Sequence, residues 1–312
     1  MYNSNLINLY ISYMKEDYFI WTNILTYVII FIGLFLISFI ITLFLPKKTR
    51  KIMGFFIFIT LAYYIASGYM VDVNRYDIDM GISNPVKIVQ LSDLHLNTSC
   101  SYSVDNAIKL CNAQFPDIVV ITGDFKTDLN QKNLTRENFK KLRHIHCDNI
   151  YVIWGNHDRF QDKEYMKKRF EECGMTVLED RLVKLQKNFY IYGTSYGGIN
   201  DKYILKALNR IPKKSKSVIL THSASALFVP RFNKDKLKNR DILFLTGHTH
   251  GGQIIFPWMN KKEFARKVFY MNILNGMTSV SGQKIYVSKG IGTTYAPVRF
   301  GVRPEITVFN IK

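Results

Sequence analysis

The segment TGHTHGGQIIFP, Thr246–Pro257, places His248 and His250 two positions apart, directly after the apolar run DILFL at 241–245. Three glycines flank the two histidines. Glycine loses more backbone freedom on folding than any other residue, so a glycine cluster beside ionisable side chains indicates a tight turn or a close approach to another group. The segment therefore predicts a buried strand that ends in a loop where both imidazoles have a role.

Four other short apolar runs resemble DILFL in their content of β-branched and aromatic residues. They are VKIVQL at 86–91, DIVVI at 117–121, NIYVIW at 149–154 and SVIL at 217–220. Such runs are typical of strands that are buried on both faces. Helical patterns alternate with them, at 104–114, 136–145 and 162–173. The alternation predicts an α/β fold.

Later apolar segments follow one another with little helix between them. They are LVKLQ at 182–186, FYIYG at 189–193, KIYVSKG at 284–290 and EITVFNI at 305–311. We expect these segments to form a second sheet, which gives a two-sheet sandwich flanked by helices.

Each of the five apolar runs with strand character is followed by aspartate, asparagine or histidine. In chain order the following residues are SDLH, TGD, GNHD, TH and GHTH. Ligand sites of open α/β sheets gather beyond the carboxyl ends of the strands, so five such ends can converge on one place. One polar residue after a strand is ordinarily a turn or a helix cap, but five sets of this type favour a metal site.

The residue types favour a pair of divalent ions. Carboxylate oxygens and imidazole nitrogens together suit Mn²⁺, Fe²⁺ or Zn²⁺, and no cysteine follows any of the five strands. A single structural zinc ion needs four ligands and usually takes cysteine. Two ions about 3.5 to 4 Å apart, which phosphoryl-transfer enzymes use as a clamp, account better for so many ligands.

The sequence resembles the calcineurin-like metallophosphoesterase superfamily. Its motifs occur in order as DLH at 93–95, GD at 123–124, GNHD at 155–158, His222, and GHTH at 247–250. The resemblance covers about 86–312. The endings GHTHGGQ and YVSKGIGTTYAPVRFGVRPEI, the latter at 286–306, are similar to a bacterial membrane-associated phosphodiesterase branch, some of whose members act on lipid-linked phosphate esters.

The resemblance implies a ligand set for two metal ions. It assigns Asp93, His95 and His250 to the first ion, and Asn156, His222 and His248 to the second. Asp124 would bridge the two ions, and a metal-bound hydroxide would be the nucleophile. In an extended segment, residues two apart point to the same side, so we expect His248 and His250 to reach one ion each.

The resemblance also implies a catalytic pair next to the metals. His157 would stabilise the transition state or protonate the leaving oxygen, and Asp158 would orient its imidazole and favour the charged form. One position departs from the family: THSAS at 221–225 has Ala224 where a proline often follows the histidine by two positions. This puts the local loop in doubt more than His222 itself.

Two uncharged apolar segments precede the α/β region. The segment 20–45 has no charged residue across 26 positions, and 52–71 has none across 20. Both reach the roughly 20 residues that a membrane-spanning helix needs. For the first, a cleaved signal peptide or a buried helix are alternatives, but the apolar run is long and no cleavage motif follows it. We expect a two-helix transmembrane hairpin in an anchor at 1–75, followed by a catalytic domain at 76–312.

The loop between these segments, PKKTRK at 46–51, has four basic residues in six. Lysine and arginine are retained on the cytoplasmic side, so both ends of the hairpin would face outward. We therefore expect a multi-pass protein of the cell membrane with an extracytoplasmic catalytic domain. The net charge of +18 does not oppose this, because long domains translocate largely regardless of charge.

The expected function is hydrolysis of phosphodiester or pyrophosphate bonds, on a lipid-linked substrate in the most specific form of the hypothesis. A nuclease or nucleotide phosphodiesterase on the same site, and a non-catalytic binding protein on this fold, are the alternatives. We do not expect a nucleic-acid partner, because a positive field attracts any polyanion and does not by itself indicate nucleic acid.

The segment PWMNKKEFARKVFYMNI, 257–273, mixes aromatic and basic residues close behind the two histidines. Such mixtures favour a bilayer interface, and we expect a lipid substrate to approach past this segment. The alternative is that its aromatic residues pack inward and its lysines are solvated.

The four cysteines include no Cys-x-x-Cys pair, so zinc-ribbon and thioredoxin-type sites are excluded. Free thiols, or a disulfide between Cys100 and Cys111, both remain open.

Overall fold

The structure is a computed structural model that describes residues 33, 40, 44–96, 101–127, 134–160, 162–196, 198–294, 296 and 298–312. The predicted membrane span at 20–45 lies almost entirely outside the described residues. The second predicted span, 52–71, overlaps a helix at Lys47–Ser67. Among the described residues, no helix combines the length and the apolar character that crossing a membrane needs. The transmembrane hairpin therefore stays a prediction.

The chain divides into two compact units. The smaller unit is 1–66 together with Phe256–Met259, and the larger is 67–255 together with 260–312. All twelve described strands belong to the larger unit. Its first strand, β1 at Asp72–Ile78, runs across the position at which we placed the start of the catalytic domain and pairs with the last strand along its whole length.

The first sheet has six strands in the order β1-β12-β2-β3-β4-β5. Besides β1, these strands are β2 at Val86–Leu91, β3 at Ile118–Ile121, β4 at Ile150–Val152, β5 at Met175–Val177 and β12 at Glu305–Ile311. Strands β2 to β5 are parallel, and β12 runs antiparallel to β2. The run EITVFNI, expected in the second sheet, is therefore a central strand of the first.

The second sheet also has six strands, in the order β10-β11-β9-β8-β7-β6. They are β6 at Arg181–Gln186, β7 at Phe189–Gly193, β8 at Lys216–Leu220, β9 at Asp241–Thr246, β10 at Gly276–Val280 and β11 at Gln283–Val287. Strands β7, β8, β9 and β11 are parallel. The two outer strands, β6 and β10, are antiparallel to their neighbours.

Helices and short helical turns connect the strands. Within the described residues of the larger unit, the α-helices are Ser101–Asn112, Arg136–Leu142, Lys163–Glu171, Lys202–Arg210, Ser225–Phe228 and Lys261–Phe269. Three 3₁₀ turns lie at His157–Phe160, Lys234–Leu237 and His250–Gly252. The three helices predicted from sequence are present; the helices Arg136–Leu142 and Lys163–Glu171 are shorter than their predicted ranges, and Ser101–Asn112 begins before its predicted start. Cys111, Cys147 and Cys173 are free thiols, and Cys100 lies outside the described residues.

Alternating residues of β2 show why the sheets stack. Ile88 belongs to the core between the two sheets, together with Phe189, Val218 and Leu243 of the second sheet. Its neighbour Val89 belongs to a separate core beneath the flanking helices. Successive side chains of a strand point to opposite faces, so a strand with apolar residues on both faces can supply both cores.

The predicted two-sheet α/β sandwich with flanking helices is confirmed, but the strands that carry the five motifs are distributed differently. β2, β3 and β4 lie in the first sheet, whereas β8 and β9 lie in the second. The motifs therefore meet where the carboxyl edges of two sheets come together, not along the edge of one.

Candidate metal centre

Backbone hydrogen bonds hold the loops after the strands against one another. Within the first sheet, the N–H of Asp93 donates to the carbonyl of Gly123 at 3.0 Å. Within the second sheet, the N–H of Gly247 donates to the carbonyl of His222 at 2.9 Å. The two sheets are joined by the N–H of His248, which donates to the carboxylate of Asp93 at 3.1 and 3.2 Å. These bonds hold the loops after β2, β3, β8 and β9 together.

A first cluster of side chains contains Asp93, His95 and His250. The Nε2 atoms of the two histidines lie 3.1 Å apart, and Nε2 of His250 lies 3.4 Å from Oδ1 of Asp93. These three residues and Asp124 each offer one ligand atom, and the four atoms lie within 4.8 Å of one another. This is the spacing expected of groups that surround a single ion.

A second cluster contains Asn156, His222 and His248. Oδ1 of Asn156 lies 2.9 Å from Nε2 of His222 and 2.9 Å from Nδ1 of His248. The three residues lie in the loops that follow β4, β8 and β9, so this cluster contains residues from both sheets.

The carboxylate of Asp124 lies between the two clusters. Its Oδ2 atom is 3.8 Å from Nε2 of His95 in the first cluster and 3.2 Å from Nε2 of His222 in the second. The structure therefore brings all seven predicted ligand residues together, in the grouping that the family resemblance implies.

Five of these seven residues have a left-handed backbone. Their φ angles are 51° at Asp93, 44° at His95, 57° at Asp124, 75° at His248 and 51° at His250. The expectation of an extended segment at 248–250 is therefore wrong. A non-glycine residue in this region costs about 1–3 kcal/mol, and such strain is concentrated at functional sites. Here the turns, not strand alternation, aim the two imidazoles at different clusters.

Two glycines are required by close approach. A Cβ atom at Gly155 would collide with the carboxylate of Asp124, and one at Gly247 would collide with Ser92 Oγ and the carboxylate of Asp93. Any side chain at either position would displace a predicted ligand.

Hydrogen bonds orient two of the imidazoles. Nδ1 of His95 lies 3.0 Å from the carbonyl of Lys126, and Nδ1 of His222 lies 2.7 Å from the carbonyl of Thr122. In a neutral imidazole, an Nδ1–H that donates to a carbonyl puts the lone pair on Nε2, as metal-binding histidines require.

Burial sets the electrostatics of the site. Asp93 and Asp124 are almost completely buried. Burial raises the pKa of Asp93 to about 6. Burial would also raise the pKa of Asp124, but His222 and His157 hold it well below its usual range. Burial would lower the pKa of His222, yet Asp124 raises it to about 9.

Buried carboxylates need a compensating cation, and here an imidazolium supplies it. A divalent ion would supply the same compensation with more charge and would leave His222 neutral. The donor set of carboxylates, imidazoles and one amide oxygen therefore fits divalent ions such as Mn²⁺, Fe²⁺ or Zn²⁺.

His157 lies beside the first cluster, with its ring centroid 5.2 Å from that of His95. Its backbone N–H donates to Oδ1 of Asp124 at 2.9 Å, and its Nδ1 lies 3.3 Å from the carbonyl of Thr127. Burial lowers the pKa of His157, opposite to the charged form that we expected Asp158 to favour.

The carboxylate of Asp158 binds the backbone of the neighbouring loops. Its carboxylate accepts hydrogen bonds from the backbone N–H groups of Asp124 at 2.8 Å, Phe125 at 3.0 Å and Gly155 at 2.8 Å. Burial raises the pKa of Asp158 to about 7. These bonds tie the β3 and β4 loops together, so Asp158 positions Asp124 and the backbone that carries His157.

Hydroxyl groups hold the loop in which the sequence departs from the family. Oγ of Ser223 lies 2.7 Å from Oγ of Ser225, which donates to the carbonyl of Phe269 at 2.7 Å. The ring of Phe269 in turn packs edge-on against His248, with centroids 5.6 Å apart. Serine hydroxyls therefore connect the loop after His222 to the residue that supports His248.

Two residues near the clusters were not predicted. Arg299 is buried and donates to the carbonyl of His250 at 3.2 Å and to the carbonyl of Gly292 at 2.7 Å. Tyr196 packs against His222, with ring centroids 5.6 Å apart. Tyr196 follows β7, so its position just after a strand was a signal in the sequence. Arg299 has no such signal, because it does not follow the end of a predicted strand.

Comparison with known proteins agrees with this geometry. The family model for calcineurin-like phosphoesterases matches residues 86–252. The chain is 28% identical to the uncharacterized metallophosphoesterase YkoQ of Bacillus subtilis, over 77% of this chain and 90% of that protein. It is 30% identical to the uncharacterized metallophosphoesterase YkuE of the same organism, over 72% and 79%.

A third relative, the phosphodiesterase YaeI of Escherichia coli, is 26% identical over 73% of this chain and 82% of that protein. The match to the family model spans more than half of the chain and contains all seven residues of the two clusters. The chain therefore belongs to the calcineurin-like phosphoesterase family and is a metal-dependent phosphoester hydrolase.

Proposed function

We propose that this chain hydrolyses phosphodiester or pyrophosphate bonds with two divalent ions, one in each cluster. The observation that carries the proposal is the position of Asp124, whose Oδ2 atom faces an imidazole of each cluster at 3.8 and 3.2 Å. When bound there, two such ions neutralise phosphate charge and activate water for in-line attack. The name of the relative YaeI supports a diester as substrate.

The residues have distinct parts in this proposal. Asp93, His95 and His250 would hold one ion, and Asn156, His222 and His248 the other, with Asp124 shared. We take Mn²⁺, Fe²⁺ and Zn²⁺ as the candidate metals, and manganese as the first to test.

His157 is the proposed proton donor. Its backbone N–H donates to Asp124, and its Nδ1 lies 3.3 Å from the carbonyl of Thr127. In its protonated form, which a neighbouring phosphate anion would favour, the ring would donate a hydrogen bond to the phosphate and pass a proton to the leaving oxygen. Asp158 would act through the backbone, since its carboxylate holds the loops of Asp124 and Gly155.

The burial of the predicted ligands indicates the side from which a substrate would enter. Of the seven predicted ligands, His248 is half-buried and the other six are buried. A phosphate ester would therefore enter from the side of His248.

We further propose a lipid-linked substrate and attachment to the membrane. Support comes from the helix Lys261–Phe269, which carries Phe269 against His248 on its inner face. Its outer face exposes Lys261, Lys262 and Arg266. Such cations contribute about 1 kcal/mol each at an anionic lipid surface.

Some apolar residues of the segment 257–273 pack inward, and others are exposed as a bilayer interface would need. Phe264, Phe269 and Met271 are buried, as inward packing requires, whereas Trp258 and Tyr270 are about half exposed. The proposal therefore depends on the exposed cations more than on the aromatic residues. With the basic loop at 46–51, it also includes an extracytoplasmic catalytic domain in a multi-pass membrane protein.

The first prediction concerns His157. In the purified chain with Mn²⁺, His157→Ala should lower turnover of a chromogenic phosphodiester by roughly 10²- to 10⁴-fold, the usual size of an acid–base contribution. Bound metal, measured by plasma mass spectrometry, should stay the same. His144→Ala, which changes an exposed histidine, is the matched control. Asp124→Asn should instead reduce bound metal, because the shared carboxylate is lost. Equal turnover in His157→Ala and the wild type would remove His157 from the mechanism.

The second prediction concerns the cationic helix. Changing Lys261, Lys262 and Arg266 together to alanine should lower turnover of a lipid phosphodiester in anionic vesicles by up to about 100-fold, given about 1 kcal/mol per cation. Turnover of a soluble diester should not change. The control removes three other exposed cations, Lys213, Lys214 and Lys236. If the control loses as much lipid turnover as the test variant, this helix has no special role at the lipid surface.

The third prediction concerns orientation. A reporter that is active only outside the cytoplasm, fused after Lys312, should be active in cells. The basic loop at 46–51 is the physical reason, because it should remain cytoplasmic. A fusion of full length that is stable but silent would contradict the outward orientation.

A further inference from the structure

Tyr196 occupies the side of the site from which a substrate would approach. It follows β7, which pairs in parallel with β8, and Gly193 at the end of β7 lies opposite Leu220. The N–H of Thr194 donates to the carbonyl of Leu220 at 2.9 Å. The chain after β7 therefore runs alongside the loop that carries His222.

Hydrogen bonds hold the backbone next to Tyr196. The N–H of its neighbour Ser195 donates to Oδ1 of Asp180 at 3.0 Å, and the other oxygen of Asp180 pairs with Nζ of Lys206 at 2.7 Å. Asp180 itself has a φ angle of 53°, in the left-handed region. The segment that carries Tyr196 is thus tied to Asp180 and lies beside the second cluster.

The ring of Tyr196 contacts two members of that cluster. Its centroid lies 5.6 Å from the His222 ring and 6.4 Å from the His248 ring. His222 is fully buried, whereas Tyr196 and His248 are half-buried. The tyrosine ring therefore packs on the two imidazoles, and Tyr196 keeps part of its surface accessible beside the half-buried His248.

We infer that Tyr196 recognises the substrate by stacking on a planar ring, such as a nucleobase or an aryl group, attached to the phosphate bound beside the second cluster. This inference rests on the proposed function and specifies the substrate class. An aromatic ring offers its face to another ring in offset or edge-on geometry. Stacking of this kind tolerates any planar group, because every aromatic ring has a π face. A single half-exposed ring matches one planar group.

The test measures binding of three phosphonates, whose carbon–phosphorus bonds this hydrolase would not cleave, to the Mn²⁺-loaded full chain by calorimetry. The ligands are phenylphosphonate, hexylphosphonate with the same number of carbons, and methylphosphonate. The wild type should bind phenylphosphonate about tenfold more tightly than either of the others. Tyr196→Ala should abolish this preference, and Tyr196→Phe should retain it.

Two controls separate recognition from structural support. Tyr102→Ala removes a tyrosine that is 69% exposed on the helix Ser101–Asn112 and should change nothing. Bound manganese should be the same in all variants. The inference is overturned if Tyr196→Ala loses metal, if it weakens all three ligands equally, if it leaves the phenyl preference intact, or if hexyl and phenyl bind alike in the wild type.

Failure of the proposed function would look different. The wild type would then hydrolyse no phosphodiester or pyrophosphate with any of the candidate metals, while the phenyl preference and its loss in Tyr196→Ala persisted. The phosphonate measurement therefore decides the role of Tyr196 whether or not hydrolysis is observed.

Discussion

The buried carboxylate of Asp124 is the constraint on which the rest of the site depends. It lies where the carboxyl edges of the two sheets meet, within 4 Å of an imidazole from each cluster. A carboxylate removed from water requires a compensating positive charge and hydrogen-bond donors. The N–H of His157 supplies a donor, and His222 supplies charge. The arrangement of two half-sites around one shared anion explains why ligands from both sheets are needed.

The loops that place the other ligands around Asp124 adopt strained backbone conformations. Left-handed backbone at five of the seven predicted ligands costs about 1–3 kcal/mol per residue, so the surrounding structure must enforce it. Asp158 contributes by accepting three backbone N–H groups, and Gly155 and Gly247 leave space that no side chain could share with the carboxylates. Both sheets, in turn, are held together by a continuous apolar core that includes Ile88 and Leu243.

The sequence allowed the site residues to be predicted because each follows a strand whose apolar run is unambiguous. It predicted β2 at its observed bounds, and the family motifs supplied the grouping of ligands. It did not predict that β12 lies beside β2, since a run such as EITVFNI fits either sheet and pairing is decided by contacts distant in the chain. The backbone of His248 and His250 was misjudged because left-handed turns at non-glycine residues leave no pattern of hydrophobicity. Tyr196 was missed because tyrosine is not a metal ligand, although its position after β7 follows the same rule.

Whether two divalent ions share Asp124 can be measured directly by anomalous scattering from a crystal of the Mn²⁺-loaded chain. If both ions bind, two anomalous peaks should appear roughly 3.5 to 4 Å apart, both in ligand contact with the carboxylate of Asp124. One peak should also contact His95 and His250, and the other His222 and His248. A single peak at full manganese loading, or two peaks of which only one contacts Asp124, would show that Asp124 is not shared by two ions.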